Sequence, residues 1–306
     1  MMLPVSKFIT YLNDDLIRAW PESARELVQF TKSLPERDMM FPLLACEAGG
    51  GEAEKAIPVS IAWSALHWGV VLLDKVIDHD ELARFDTYEE VAALSSGPIF
   101  AAYLCLGKLE DPLVIHRAAT ELFRGFYQCA HGQYLDLMQA RETMHPEQAL
   151  KEYWRTTILK SGSVYQTGLA AGGAVATDKE AWMAALRDYG RAFGVIKQLM
   201  DDCNDVLSPP DLVDEHNPHY EITLPILLYN LTERGQPPIP AEREAIYQLL
   251  DKARVPETIG AILYEWQNRA INALEPLPPS QAKEKLADYA TDLILPQEFL
   301  ANLESG

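Results

Sequence analysis

The stretch SIAWSALHWGVVLLDKVIDHD, residues 60–80, decides how this chain folds. Its Ala, Val, Leu, Ile and Trp residues run on without alternation or a turn signal, so it reads as one long core helix over about 53–79. GlyGlyGly at 49–51 breaks the chain before it. At about 100° per residue, Asp74 and Asp78 leave that helix on one face near its C-terminal end. The pattern recurs in LMDDCNDV, residues 199–206, where Asp201 and Asp205 share a face and Asp202 sits beside them. Ionised carboxylates inside apolar text are costly unless a cation neutralises them. A divalent metal held through oxygen is the simplest counter-charge, and two such faces opposed across a cavity would hold a polyanion.

Helical periodicity extends outward from this stretch to both ends, and hairpin-bounded alternation is absent, so the fold is expected to be all-α, a single domain over 1–306. Further helices are expected near 7–32, 87–95, 98–108, 112–142, 146–176, 179–207, 222–233, 241–253, 257–274 and 280–291. ProPro at 209–210 stops the helix carrying the second acid cluster, and 208–220 reads as a polar loop able to act as a lid.

The net charge of −19, with no Lys/Arg stripe, excludes a nucleic-acid binder. It also means that bound metal and a few local cations must reverse the field wherever a diphosphate binds. Cys46, Cys105, Cys129 and Cys203 form no CxxC and sit in apolar text, which reads as reduced thiols in the cytoplasm. The first twenty residues lack a basic start and a continuous apolar core, and no run approaches the roughly 18 apolar residues of a membrane span, so secretion and integral membrane contact are disfavoured.

Other polar residues interrupt the helices. His67 lies two turns before Asp74 on the same face, where a satisfied core histidine is the commoner reading. Lys160, in ILKSGSVYQTGLAAGG, sits in a helix rich in small residues, and either binds an anion or snorkels to solvent. Gln133 and Asp136 in HGQYLDL form either a polar site or an interhelical hydrogen bond, and Gln198 lies one turn before Asp201 and Asp202, able to orient either carboxylate.

The order of these features, an acid pair, GQxxD, Lys-Ser-Gly, Gln-x-x-Asp-Asp-x-x-Asp and finally Thr-Leu-Pro, resembles the trans-isoprenyl diphosphate synthase (polyprenyl synthetase) family over about 42–230. The resemblance implies an isoprenoid synthase-type bundle around a central cavity, in which two aspartate-rich motifs hold magnesium and an allylic prenyl diphosphate, and it implies a homodimer. It makes Asp74 and Asp78 metal ligands, with Lys75 replacing a middle aspartate, and Asp201, Asp202 and Asp205 the opposing ligands. Asp74, Asp78, Asp201 and Lys160 form the implied catalytic set. His67, Arg84, Lys160, Lys197 and Gln198 form the implied substrate-binding set.

Departures from the family pattern carry their own expectation. Where a Gly-Gly-Lys-Arg-x-Arg-Pro segment would bind isopentenyl diphosphate, this chain has ERDMMFP at 36–42, so Asp38, Met39 and Phe41 replace cations. Ala83 and Glu221 replace further basic residues, and Lys197 replaces an aromatic one. Each lost charge-assisted contact costs about 1.5–3 kcal/mol, which argues against a second diphosphate. The expected activity is therefore a magnesium-dependent class I terpene synthase, with Trp63, Trp68, Tyr165 and Phe193 either stabilising the cation or, as rings at helical spacing more often do, packing as core. Gly69 and Val70 leave room for a long substrate such as geranylgeranyl diphosphate. The alternatives are a trans-prenyltransferase joining the allylic group to isopentenyl diphosphate or another acceptor, and a non-catalytic partner subunit, suggested by Lys75 and Glu221.

Overall fold

The apolar stretch folds as expected, into a helix running from Ile57 to Ile77 that starts behind a short 3-10 turn at Ala53–Ala56. The computed structural model describes residues 18–79, 82, 85–138, 144–207, 223–232 and 243–293. Arg84, Glu221 and the 208–220 loop lie outside the described residues, as does the first part of the helix expected over 7–32. Twelve α-helices are described: α1 Pro21–Ser33, α2 Glu36–Ala48, α3 Ile57–Ile77, α4 Tyr88–Leu106, α5 Pro112–Met138, α6 Pro146–Thr157, α7 Ser163–Ala176, α8 Glu180–Leu207, α9 Leu224–Thr232, α10 Arg243–Lys252, α11 Val255–Ala273 and α12 Gln281–Thr291. No strand occurs among the described residues.

The small-residue helix α7 is the hub, packed by α2, α3, α5 and α8. Its Gly168, Ala170, Ala171, Gly172 and Ala174 are buried, and their slim side chains let four helices approach one axis. Directed bonds fix the register. Trp63 of α3 donates its indole N–H to the Val164 carbonyl of α7 at 2.7 Å, and Thr167 donates to the Glu121 carbonyl of α5 at 2.7 Å. Tyr189 of α8 donates to the Leu286 carbonyl of α12 at 2.6 Å. The segment spanning Ala53–Ile77 is long and apolar enough to cross a membrane, yet 78% of its most apolar window is buried within this protein. All four cysteines are buried free thiols.

Two expectations need correction. The helices expected at 87–95 and 98–108 are one, α4, because Pro98 is accommodated within it and packs against Gly69 of α3. The segment 36–42, to which the sequence reading assigns no element, belongs to a helix, α2, whose Pro42 is likewise internal. The helix expected over 146–176 is interrupted by a wider π turn at Ile158–Gly162, which separates α6 from α7.

Candidate active site

The π turn is where the polar residues converge. Such a turn inserts one residue into the helical ladder and redirects what it carries, and here it carries Lys160 and Ser161. The turn is gripped between α5 and α8 at two glycines. A Cβ on Gly132 would lie 2.6 Å from the Lys160 nitrogen, and one on Gly194 would lie 2.3 Å from the Ser161 carbonyl oxygen. Backbone contact thus brings the turn close to both helices, leaving the Lys160 side chain to reach forward.

It reaches the acids of two other helices. Lys160 Nζ lies 3.1 Å from Asp74 Oδ1 at the end of α3 and 3.6 Å from Asp136 Oδ2 at the end of α5. Burial alone would lower the lysine's pKa, but Asp74, Asp136 and, further off, Asp78 outweigh it, so the ammonium is held protonated. Asp136 is thereby the Lys160 partner that sequence spacing alone does not reveal.

The α8 acids divide into two kinds. Asp201 keeps an exposed side chain, yet desolvation by the surrounding protein, helped by Asp205 and Asp38, pushes its carboxyl up to about 6 against the opposing pull of Lys197. Asp202 departs from the expected metal-ligand role. It is 3% exposed, its Oδ2 accepts from Tyr153 Oη at 2.7 Å and from the Leu224 backbone N–H at 2.9 Å, and its Oδ1 accepts from Gln198 Nε2 at 2.8 Å. A carboxylate so enclosed, with three of its acceptor sites already filled by protein donors, is better placed to hold the structure than an ion. Gln198 in turn accepts from Ser161 Oγ at 2.5 Å, so both ends of its amide are engaged by protein, which favours a positioning role over substrate contact.

His67 stands among rings, with Trp63, Phe30 and Tyr165 centroids at 5.2, 5.5 and 6.3 Å. Burial, with Lys197 adding to it, drives its pKa down to about 4, so the imidazole is neutral near pH 7. Its buried Nδ1 has no hydrogen-bond partner among the described residues, nor has the buried Gln133 Oε1. Asp38 is buried and accepts from Tyr165 Oη at 3.0 Å and Arg37 Nε at 3.3 Å, while the Arg37 guanidinium lies 5.4 Å from the Phe193 ring centroid. The cation nearest Asp38 is thus already paired. Trp63 and Phe193 are 0% exposed and Trp68 is 2% exposed, so these rings form core and not the lining of an open cavity, the commoner of the two roles open to them.

The acid pairs suit magnesium in one way only. Among the described residues no three His, Cys, Asp or Glu side chains converge to hold an ion by themselves. Magnesium takes one or two carboxylates and completes an octahedral shell with water and phosphate oxygens, so Asp74 with Asp78, and Asp201 with Asp205, fit it as partners of a diphosphate.

This arrangement matches a known family. The polyprenyl synthetase profile matches residues 37–217, a span that includes α3, the π turn and α8. The chain belongs to the polyprenyl synthetase family. A short chain isoprenyl diphosphate synthase of Methanothermobacter thermautotrophicus is 25% identical over 281 residues, 84% of each chain. A geranylgeranyl diphosphate synthase of Mycobacterium tuberculosis is 28% identical over 173 residues, 54% of this chain and 49% of that one. Among solved structures, the geranylgeranyl pyrophosphate synthetase of Pyrococcus horikoshii superposes with a TM-score of 0.77 at 20% identity, covering 94% of this chain and 96% of that one. The corresponding protein of Geoglobus acetivorans gives 0.75 at 21% identity, covering 96% and 99%. These likenesses extend the polyprenyl synthetase fold over nearly the whole chain.

Tyr153, Ser161 and Asp136 are the site residues that sequence reasoning underrated. Ser161 and Asp136 carried a signal, adjacency to Lys160 and an acid in an apolar helix, whereas Tyr153 carried none, because its partner is 49 positions away.

Proposed function

We propose that this protein is a magnesium-dependent prenyltransferase that ionises an allylic prenyl diphosphate and joins the prenyl group to an acceptor. The observation that carries this reading is the Lys160 ammonium held at 3.1 Å from Asp74 on a turn shared with the α8 hydrogen-bond network. Family membership and the synthases it resembles support transfer over the cyclisation expected from the departures at 36–42. So does the burial of Trp63, Trp68 and Phe193, which removes most of the rings proposed to guide a cyclising cation.

In this reading Asp74, Asp78, Asp201 and Asp205 hold magnesium, which when bound supplies Lewis-acid charge to the leaving diphosphate. Lys160 binds a diphosphate oxygen and stabilises charge that grows as the carbon–oxygen bond breaks. Lys197 adds positive charge beside Asp201, and neutral His67 offers a hydrogen bond without charge. Cyclisation stands as a second reading because Asp38 and its paired Arg37 leave no surplus cation there for a second diphosphate.

Purified protein with magnesium and geranyl, farnesyl or geranylgeranyl diphosphate, each with and without isopentenyl diphosphate, tests the choice. Diphosphate release coupled to a longer prenyl chain supports transfer. Hydrocarbon or alcohol products formed without acceptor replace it with cyclisation, and no release under any condition overturns both.

We also propose a homodimer. Ile99, Phe100, Tyr103 and Leu104 form one exposed stripe on α4, and Tyr127, Tyr134 and Met138 are exposed on α5. An apolar face of this kind on so acidic a chain suits a second, symmetry-related copy. Sedimentation of the wild type and of Phe100→Glu checks it, with a dimer expected for the first and a monomer for the second.

A further inference from the structure

The hydrogen bonds around Asp202 have a fixed direction. An ionised carboxylate only accepts, so the Gln198 amide must present its NH2 to Asp202 and its oxygen to Ser161, and Ser161 must donate. On its other side the same carboxylate receives the N–H of Leu224, the first residue of α9, and the Tyr153 hydroxyl of α6. One buried group therefore joins α6, α8, α9 and the π turn, and the residue next to Ser161 is Lys160.

We infer that Asp202 is a positioning residue: through Gln198 and Ser161 it sets the placement of the turn that carries Lys160 and ties that turn to the start of α9. The inference rests on the reading of Lys160 as the group that grips the leaving diphosphate. It assigns to Asp202 a task different from that of Asp201 and Asp205, although the three stand in one motif.

Asp202→Asn is the sharpest probe, because it keeps shape and reverses polarity. Tyr153 and Leu224 both donate, so the new amide oxygen must face them and its NH2 must face Gln198. Gln198 then has to flip, offering NH2 to Ser161, whose hydroxyl turns from donor to acceptor and leaves its own proton without the Gln198 oxygen.

The experiment compares wild type, Asp202→Asn, Ser161→Ala and the double variant with geranylgeranyl diphosphate, isopentenyl diphosphate and magnesium, after thermal melts show which of them fold. The expected result is a fall in kcat of about 10–100-fold in each single variant. The double variant should be no worse than the poorer single one, within about twofold, because both act on one chain. The magnesium concentration giving half-maximal rate stays near the wild-type value. In metal-free protein, amide hydrogen exchange over residues 158–162 quickens in Asp202→Asn and in Ser161→Ala.

A magnesium requirement raised by more than about tenfold in Asp202→Asn, with Ser161→Ala unaffected, would instead make Asp202 a metal ligand and overturn the proposal. Additive losses in the double variant, or unchanged exchange over 158–162, overturn it too. Should Asp202→Asn not fold, Gln198→Met interrupts the same chain one link along and takes its place. If wild type releases no diphosphate from any prenyl substrate, the reading of Lys160 fails, while the exchange measurement, which needs no substrate, still decides whether Asp202 holds the turn.

Discussion

The ends of α3 and α8 both present aspartates to one site, yet they are held by different physics. At the end of α3, Asp74 is partly exposed and gains its partner through an ion pair with Lys160, which Asp136 shares. At the end of α8, Asp202 is enclosed and held by directional hydrogen bonds from Tyr153, Gln198 and Leu224. An ion pair at a half-open site tolerates changes of geometry and responds to salt, whereas a buried directional network does not. The α3 wall is therefore held by charge that salt and geometry can loosen, while the α8 wall is held by bonds of fixed direction.

Removing the shared lysine should break the comparison most severely. Lys160→Met is expected to lower diphosphate release by about 10²–10³-fold, the usual cost of deleting one charge-stabilising donor. Diphosphate release with saturating prenyl and isopentenyl diphosphates measures this.

The next effect comes from His67, which lies on the α3 face. Its pKa falls from the usual 6.5 to about 4 on folding, so below pH 6.5 the unfolded chain binds a proton that the folded chain refuses. Stability from this group is fully present above pH 6.5 and drains away as the pH falls toward 4, by on the order of 2–3 kcal/mol. Urea midpoints at several pH values should show this loss in wild type and a flatter profile in His67→Gln.

Tyr153→Phe takes one donor from the buried Asp202 without changing shape much. A loss of about 1–3 kcal/mol is expected, since a buried carboxylate is left short of a partner, and added salt should not alter it. Chemical denaturation at low and high ionic strength reads both points.

The smallest effect sharpens the contrast. In the same denaturation assay Lys160→Met should change stability by no more than about 1 kcal/mol, and less still in high salt, because a partly exposed ion pair contributes little net. A large, salt-independent loss would show that the two walls are alike after all.

Much of this arrangement is written along the chain. The apolar run before Asp74, the small residues after Lys160 and the acids after Leu199 each announce helix, core and site through composition and period alone, because a helix repeats its faces locally. Pro98 misled the reading, since a proline usually marks a helix boundary and only packing against neighbours shows that it is tolerated inside one. Asp202 misled it further. Three acids within five positions look equivalent in sequence, but their helix turns them toward different neighbours, one toward the open site and another toward Tyr153 and Leu224.

The sequence by itself determined the all-α class, the acidic helix ends, and the lysine set among small residues, because these follow from local periodicity and side-chain chemistry. Only the tertiary structure decided which acid meets Lys160, which acid is sealed inside, and that Trp63, Trp68 and Phe193 are core. Those outcomes depend on residues far apart in the chain being brought within hydrogen-bonding reach, at angles set by the packing of α3, α5, α7 and α8 around the π turn. No local pattern encodes such angles.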